Sequence, residues 1–304
     1  MKTDAARGHL AAFVTILIWG TTFISTKVLL RVFSPVEILL VRFLIGYAAL
    51  WCVRPRGLKA DKRQELYFAA AGACGVTLYY LLENMALTYT LASSVGVIIS
   101  IAPFFTAIFA WLFLHDRRPG LRFFLGFLMA MAGISLLSFG GNADLRMDPI
   151  GDLLGVAAAA VWAAYSILTK KISGFGYHTI LTTRRTFFYG LVFMAPIACA
   201  MGVHIELQAL ADRVVLGNLL FLGLGASALC FVTWNTAVKR LGSVKTSVYI
   251  YLVPVITAVT SALILHETIT ATAACGIVLT LAGLFLSEKR VQNKEDLMYG
   301  TQCE

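Results

Sequence analysis

The sequence predicts an all-α polytopic membrane protein, with ten transmembrane helices arranged as two inverted five-helix repeats. Three observations carry this. The chain is 59% hydrophobic and only 13% charged, whereas soluble domains carry about 25% charged residues, and mean hydropathy is +0.80. Its apolar runs are continuous rather than alternating, which specifies helices and not a β-barrel. Finally, the chain repeats itself, with its basic residues falling in every second loop.

Ten apolar spans are expected at 9–30, 36–53, 66–87, 93–114, 121–140, 151–172, 178–201, 214–238, 244–265 and 270–287. Ser34-Pro35 separates the first two, since proline and its predecessor disfavour helix continuation. The charged run 54–63 (RPRGLKADKR) divides the second from the third, and 115–120 (HDRRPG) ends the fourth. The turn-rich segment 140–149 (GGNADLRMDP) divides the chain into 8–141 and 149–288, leaving 289–304 as a cytoplasmic tail. The first run is about 20 residues long with no small-x-small site after it, so it is expected to stay in the membrane and not to act as a cleaved signal.

Placing the N-terminus inside assigns 18 of the 25 Lys and Arg residues to cytoplasmic segments and only Arg31, Arg146 and Arg213 to the opposite loops. That bias puts both termini in the cytoplasm and supports an even number of spans. It also accounts for the net charge of +9 without a nucleic-acid partner. The repeat is read from ordered matches. Trp19, Lys27 and Arg42 match Trp162, Lys170 and Arg185, while Asn84, Pro103 and His115 match Asn235, Pro254 and His266. Five spans per half is odd, so the second half enters the membrane upside down, as in alternating-access transporters whose substrate site lies between the halves.

The stretch Leu78–Ser94 carries Glu83 and Asn84 inside an apolar run, with Tyr79 and Tyr80 one helical turn before them on the same face. A carboxylate near mid-bilayer costs about 2.5–3.5 kcal/mol on insertion scales, so it must face a bundle interior or a wet cavity. Trp19, Thr22, Phe23 and Thr26 form a stripe on helix one, mirrored by Trp162, Tyr165 and Thr169. Paired tryptophans with adjacent hydroxyls suit a cavity that stacks an apolar or aromatic group, and ordinary packing is the competing reading. Trp234, the mirror of Glu83, stands beside Asn235; Tyr249 and Tyr251 lie near Pro254.

Arg42 shares the outer half with Glu83 and Lys27, so an ion pair of Glu83 with Arg42 is expected to form and break during transport; Arg185 is its inner counterpart, without a matching carboxylate. Proton coupling through Glu83 and a purely structural pair both remain open. Pro103 and Pro254 each remove a backbone donor in mid-helix and are expected to kink helices four and nine. Small-residue runs such as 69–75 (AAAGACG) mark close helix contacts. The six cysteines form no CxxC pair and read as small packing residues.

The run 86–117, with its A-L-x-Y-T-x-A-S start, mid-helix proline and closing acidic residue, and its echo 237–268, resemble the drug/metabolite transporter superfamily, EamA branch. Within it the chain looks most like the YddG-type aromatic amino-acid exporters. The resemblance covers about residues 8–288 and departs at Asp116, where the family usually has Glu, as at Glu267. It implies an inner-membrane exporter of amino acids, other metabolites or toxic compounds, with the bilayer and a small-molecule substrate as partners and no cofactor; a monomer is compatible with it. The competing classes are a multidrug exporter of the same fold, an intramembrane enzyme and a channel. With no HExxH, nucleophile elbow, acid pair within spans or Walker A sequence, enzymatic chemistry and direct ATP drive are not expected.

Overall fold

The computed structural model describes residues 2–89, 92–116, 118–139, 148–203, 207–265 and 270–300. Regular structure among them is helical throughout. In chain order the helices are α1 (Lys2–Leu29), α2 (Pro35–Val53), α3 (Lys62–Tyr89) and α4, which runs as Ala92–Ile99 and Ala102–Leu114. They continue with α5 (Leu121–Phe139), α6 (Pro149–Ser173), α7 (Thr179–Ala200), α8 (Arg213–Leu241), α9 (243–265) and α10 (Ala271–Gly300), with a short 3-10 turn at Leu207–Ala211.

The predicted breaks work as caps. The Ser34 hydroxyl accepts from the Glu37 amide and the Glu37 carboxylate accepts from the Ser34 amide, a reciprocal box ahead of Pro35. Asp61 and Gln64 repeat that box at α3, while the Asp148 carboxylate accepts two amides at the start of α6. His115, with φ of 54°, closes α4 in the left-handed conformation, and Gly242, with φ of 88°, closes α8. The tail predicted at 289–304 begins as an uninterrupted continuation of α10, helical to Gly300.

Helices α2, α3, α4, α6 and α8 are long and apolar enough to cross a membrane; α5, α9 and α10 hold shorter apolar stretches. Large apolar side chains such as Leu44, Leu66, Leu128, Leu153, Val192 and Val278 stand exposed around the bundle. An apolar surface of that extent belongs in contact with lipid.

The helices of the two halves interleave. α1 lies along α8 and α9, α2 against α7 and α8, α3 against α6 and α7, α4 on α6, and α5 on α10. Glycines permit the closest of these approaches. A Cβ on Gly133 would stand 2.5 Å from the Thr280 amide nitrogen and 2.7 Å from the Gly276 carbonyl, and one on Gly75 would collide with the Tyr165 ring.

The helix is irregular just before each of the two prolines. Pro103 opens the second piece of α4 after an interruption at Ser100 and Ile101, and Pro254 follows a 3-10 turn, Val248–Tyr251, within α9. Because proline has no amide to donate, the chain tightens one turn earlier. The Ile101 amide bonds to the Ile98 carbonyl, three residues back, and the Leu252 amide bonds to that of Tyr249. Helices α3 and α8 each widen into a π-helical stretch, Ala73–Leu78 and Phe221–Leu229, just ahead of Tyr79–Tyr80 and of Trp234–Asn235. Wide turns of this kind are frequent at functional sites.

Candidate functional site

A cavity of about 750 Å³ of empty space, including its open mouth, lies between the halves. α1 contributes Trp19, Thr22 and Thr26; α2 contributes Arg42; α3 contributes Tyr79, Tyr80, Glu83 and Asn84. Trp162 of α6 faces them, and Leu87, Gly96, Ile99, Ser100, Ile250 and Val253 complete the wall. Two of the irregular segments thus border the cavity, since Ile99 and Ser100 lie at the break in α4 and Ile250 in the 3-10 turn of α9. Those positions are not legible as lining residues from hydropathy alone, although each lies three or four residues before a proline.

The predicted tryptophan pair does meet. Trp19 and Trp162 stand edge-to-face with centroids 5.2 Å apart, and Tyr79 lies 4.8 Å from Trp162. The Trp19 indole nitrogen donates to the Ala226 carbonyl at 3.0 Å, within the π-helical stretch of α8. The indole nitrogens of Trp162 and Trp234 have no hydrogen-bond partner among the described residues.

The two charges of the cavity are deeply buried, Arg42 at 4% and Glu83 at 8% exposure. No ion pair joins them among the described residues. Arg42 Nε donates to Ser227 Oγ of α8 at 2.9 Å, and its guanidinium stacks 4.6 Å from the Tyr80 centroid. Glu83 Oε1 accepts from the Tyr79 hydroxyl at 3.2 Å. The side chain of Lys27, the third member expected here, lies outside the described residues.

Other predicted residues sit elsewhere. Tyr165 is fully buried and donates to Asn235 Oδ1 at 2.8 Å, and Asn235 Nδ2 donates to Thr183 Oγ1 at 2.9 Å. Trp234 is also fully buried, 5.2 Å from Trp19 and behind the cavity wall. Asn235 lines a second, smaller hollow of about 330 Å³, with Thr169, Thr182, Thr186, Tyr177 and Lys239. Tyr249 meets His9, its hydroxyl 2.6 Å from Nδ1. Trp162, Tyr165 and Asn235 therefore form a continuous wall from the large cavity to the small hollow.

Arg185 does have a carboxylate, contrary to the expectation that its side of the bundle lacked one. Glu65, in the first turn of α3, holds it bidentately at 2.9 and 2.6 Å and also accepts from the Tyr189 hydroxyl at 2.8 Å. Glu65 escapes sequence reading because it follows the charged run 54–63 and looks like its solvated edge. Arg184 needs no acid, since its guanidinium donates to the Arg54 and Arg56 carbonyls and stacks 4.1 Å from the Trp51 centroid. It thereby ties off the C-terminal end of α2. Arg240 and Asp4 add an ion pair between the ends of α8 and α1.

An interleaved helical bundle with an apolar exterior and a buried, two-charged cavity between its halves defines a multi-pass membrane protein that handles a small molecule. The chain belongs to the EamA-like transporter family, whose model matches residues 6–139 and 149–288. It is 29% identical over 288 residues to an uncharacterized transporter of Archaeoglobus fulgidus, covering 93% of this chain and 97% of the relative. It is 28% identical over 283 residues to a probable terminal-alkyne amino-acid exporter of Streptantibioticus cattleyicolor, covering 92% and 93%. A solved crystal structure at 18% identity shares the fold, with a TM-score of 0.76 over 95% of this chain and 99% of its own.

Proposed function

We propose that the protein is an alternating-access secondary transporter that exports small amphipathic metabolites, foremost amino acids including aromatic ones, across a bacterial-type inner membrane. In this reading all ten helices cross the bilayer, 8–141 and 149–288 are inverted repeats, and both termini are cytoplasmic. The observation that carries it is the cavity itself, where Arg42 and Glu83 lie within an aromatic wall contributed by both halves. The Streptantibioticus relative, named an amino-acid exporter, supports the substrate class. The large cavity is the site on the outer path and the small hollow at Asn235 the constricted inner path. Arg185, Glu65 and Tyr189 latch α7 to α3 at the inner end.

A multidrug exporter is the second reading, because Glu83 among aromatic rings also suits an organic cation. The test is uptake of labelled phenylalanine and leucine into proteoliposomes, preloaded or not with unlabelled substrate, with and without a pH gradient. Saturable uptake accelerated by internal substrate is expected, since countertransport requires a carrier and a pore shows none. No amino-acid uptake by folded protein overturns the reading.

A further inference from the structure

We infer that the cavity recognises an α-amino acid by both of its charges at once, Arg42 receiving the carboxylate and Glu83 the ammonium, with the side chain against Trp19 and Trp162. This rests on the transporter reading above.

The inference starts from what the two charges lack. Arg42 uses Nε on Ser227 and one face of its guanidinium on Tyr80. Its terminal nitrogens, the pair that forms a fork with a carboxylate, donate to no protein acceptor among the described residues. The contact with Tyr80 and the bond to Ser227 hold the guanidinium at the cavity wall before a ligand arrives. Glu83 has Tyr79 on Oε1, and Oε2 has no protein donor among the described residues.

Burying an ion without a partner is costly, and here two opposite ions are buried in one cavity without pairing each other. A ligand with a single charge answers one and leaves the other uncompensated; a zwitterion answers both. The two charges stand on adjoining parts of one aromatic wall. Arg42 lies on Tyr80 and Glu83 on Tyr79, and those rings are neighbours at 4.8 Å between centroids. Trp162, whose indole N–H is unpartnered, lies 4.8 Å from Tyr79 on the same wall. It lines the cavity, where the ligand's side chain would meet it.

The test uses the purified full-length protein and its tryptophan fluorescence, titrated with L-phenylalanine, with phenethylamine (no carboxylate) and with 3-phenylpropionate (no ammonium). Phenylalanine is expected to bind at least about tenfold more tightly than either analogue, the minimum effect of leaving one buried charge unpaired. Arg42→Gln should abolish the preference for phenylalanine over the amine, and Glu83→Gln the preference over the acid. Arg42→Lys should restore part of the carboxylate preference. Equal affinity of the three ligands in the unmodified protein, which needs no variant to fold, overturns the inference. So do variants that stay folded and leave the order unchanged. Phenylalanine crossing proteoliposomes while both analogues compete equally refutes this inference alone. Phenylalanine neither binding nor crossing refutes it together with the amino-acid reading.

Discussion

Replacing Glu65 by Gln removes the carboxylate that receives two Arg185 donors and the Tyr189 hydroxyl. Two unit charges about 4 Å apart attract by about 4 kcal/mol near a protein surface, but side-chain exposures of 34% for Arg185 and 21% for Glu65 cut that sharply. Exposed pairs yield about 0.2–1 kcal/mol; the fork geometry and the tyrosine bond raise this one to about 1.4 kcal/mol, a tenfold change in an equilibrium. Because the latch joins α3 to α7, its loss is expected, under the proposed alternating-access cycle, to favour states in which the hollow lined by Thr182 is open. A cysteine at Thr182, in an otherwise cysteine-free background, would be labelled by a membrane-impermeant maleimide from the face that the proposed topology makes cytoplasmic. Glu65→Gln is expected to raise the labelling rate about tenfold, and added salt to raise it in the parent by screening the same pair. Unchanged labelling in the variant refutes the latch.

Trp162→Ala should weaken binding of phenylalanine more than that of alanine, by about tenfold, since an aromatic contact is worth about 0.5–1.5 kcal/mol beyond its buried area; equilibrium titration reads both. Gly133→Leu should lower stability by about 1–3 kcal/mol through overpacking against α10, seen as a lower thermal midpoint in detergent. Gly217→Ala, where an added Cβ meets nothing within 4 Å, should leave that midpoint unchanged or higher. Arg184→Gln should free the segment after α2 and speed its cleavage by trypsin about tenfold, because a hydrogen bond from a charged donor contributes about 1.5–3 kcal/mol.

Helix positions were legible because hydropathy and capping are local properties. Ser34-Pro35, Asp61 and Asp148 act in place, within three residues of what they cap. The pairing of Trp19 with Trp162 was legible through the repeat, which carries information across 143 positions. Glu65 with Arg185 and Arg42 with Ser227 were not, because neither pair follows the repeat and each joins helices more than 100 residues apart in the chain. The prolines pointed to the neighbourhood of the irregular segments before Pro103 and Pro254 but did not specify their form. A missing amide specifies that the ladder fails, and the surrounding packing decides whether the chain bends, tightens or restarts.

The interleaving of helices has a consequence for biosynthesis. Residues 2–139 leave the ribosome first, yet each of their helices has its main neighbours in residues 148–300. Until α8 arrives, Arg42 has no Ser227, and until α7 arrives, Glu65 has no Arg185. The nascent first half must therefore wait in the bilayer with its polar groups turned to one another, to water or to headgroups. The glycine seam of α5 closes late, because α10 is made after the nine other described helices.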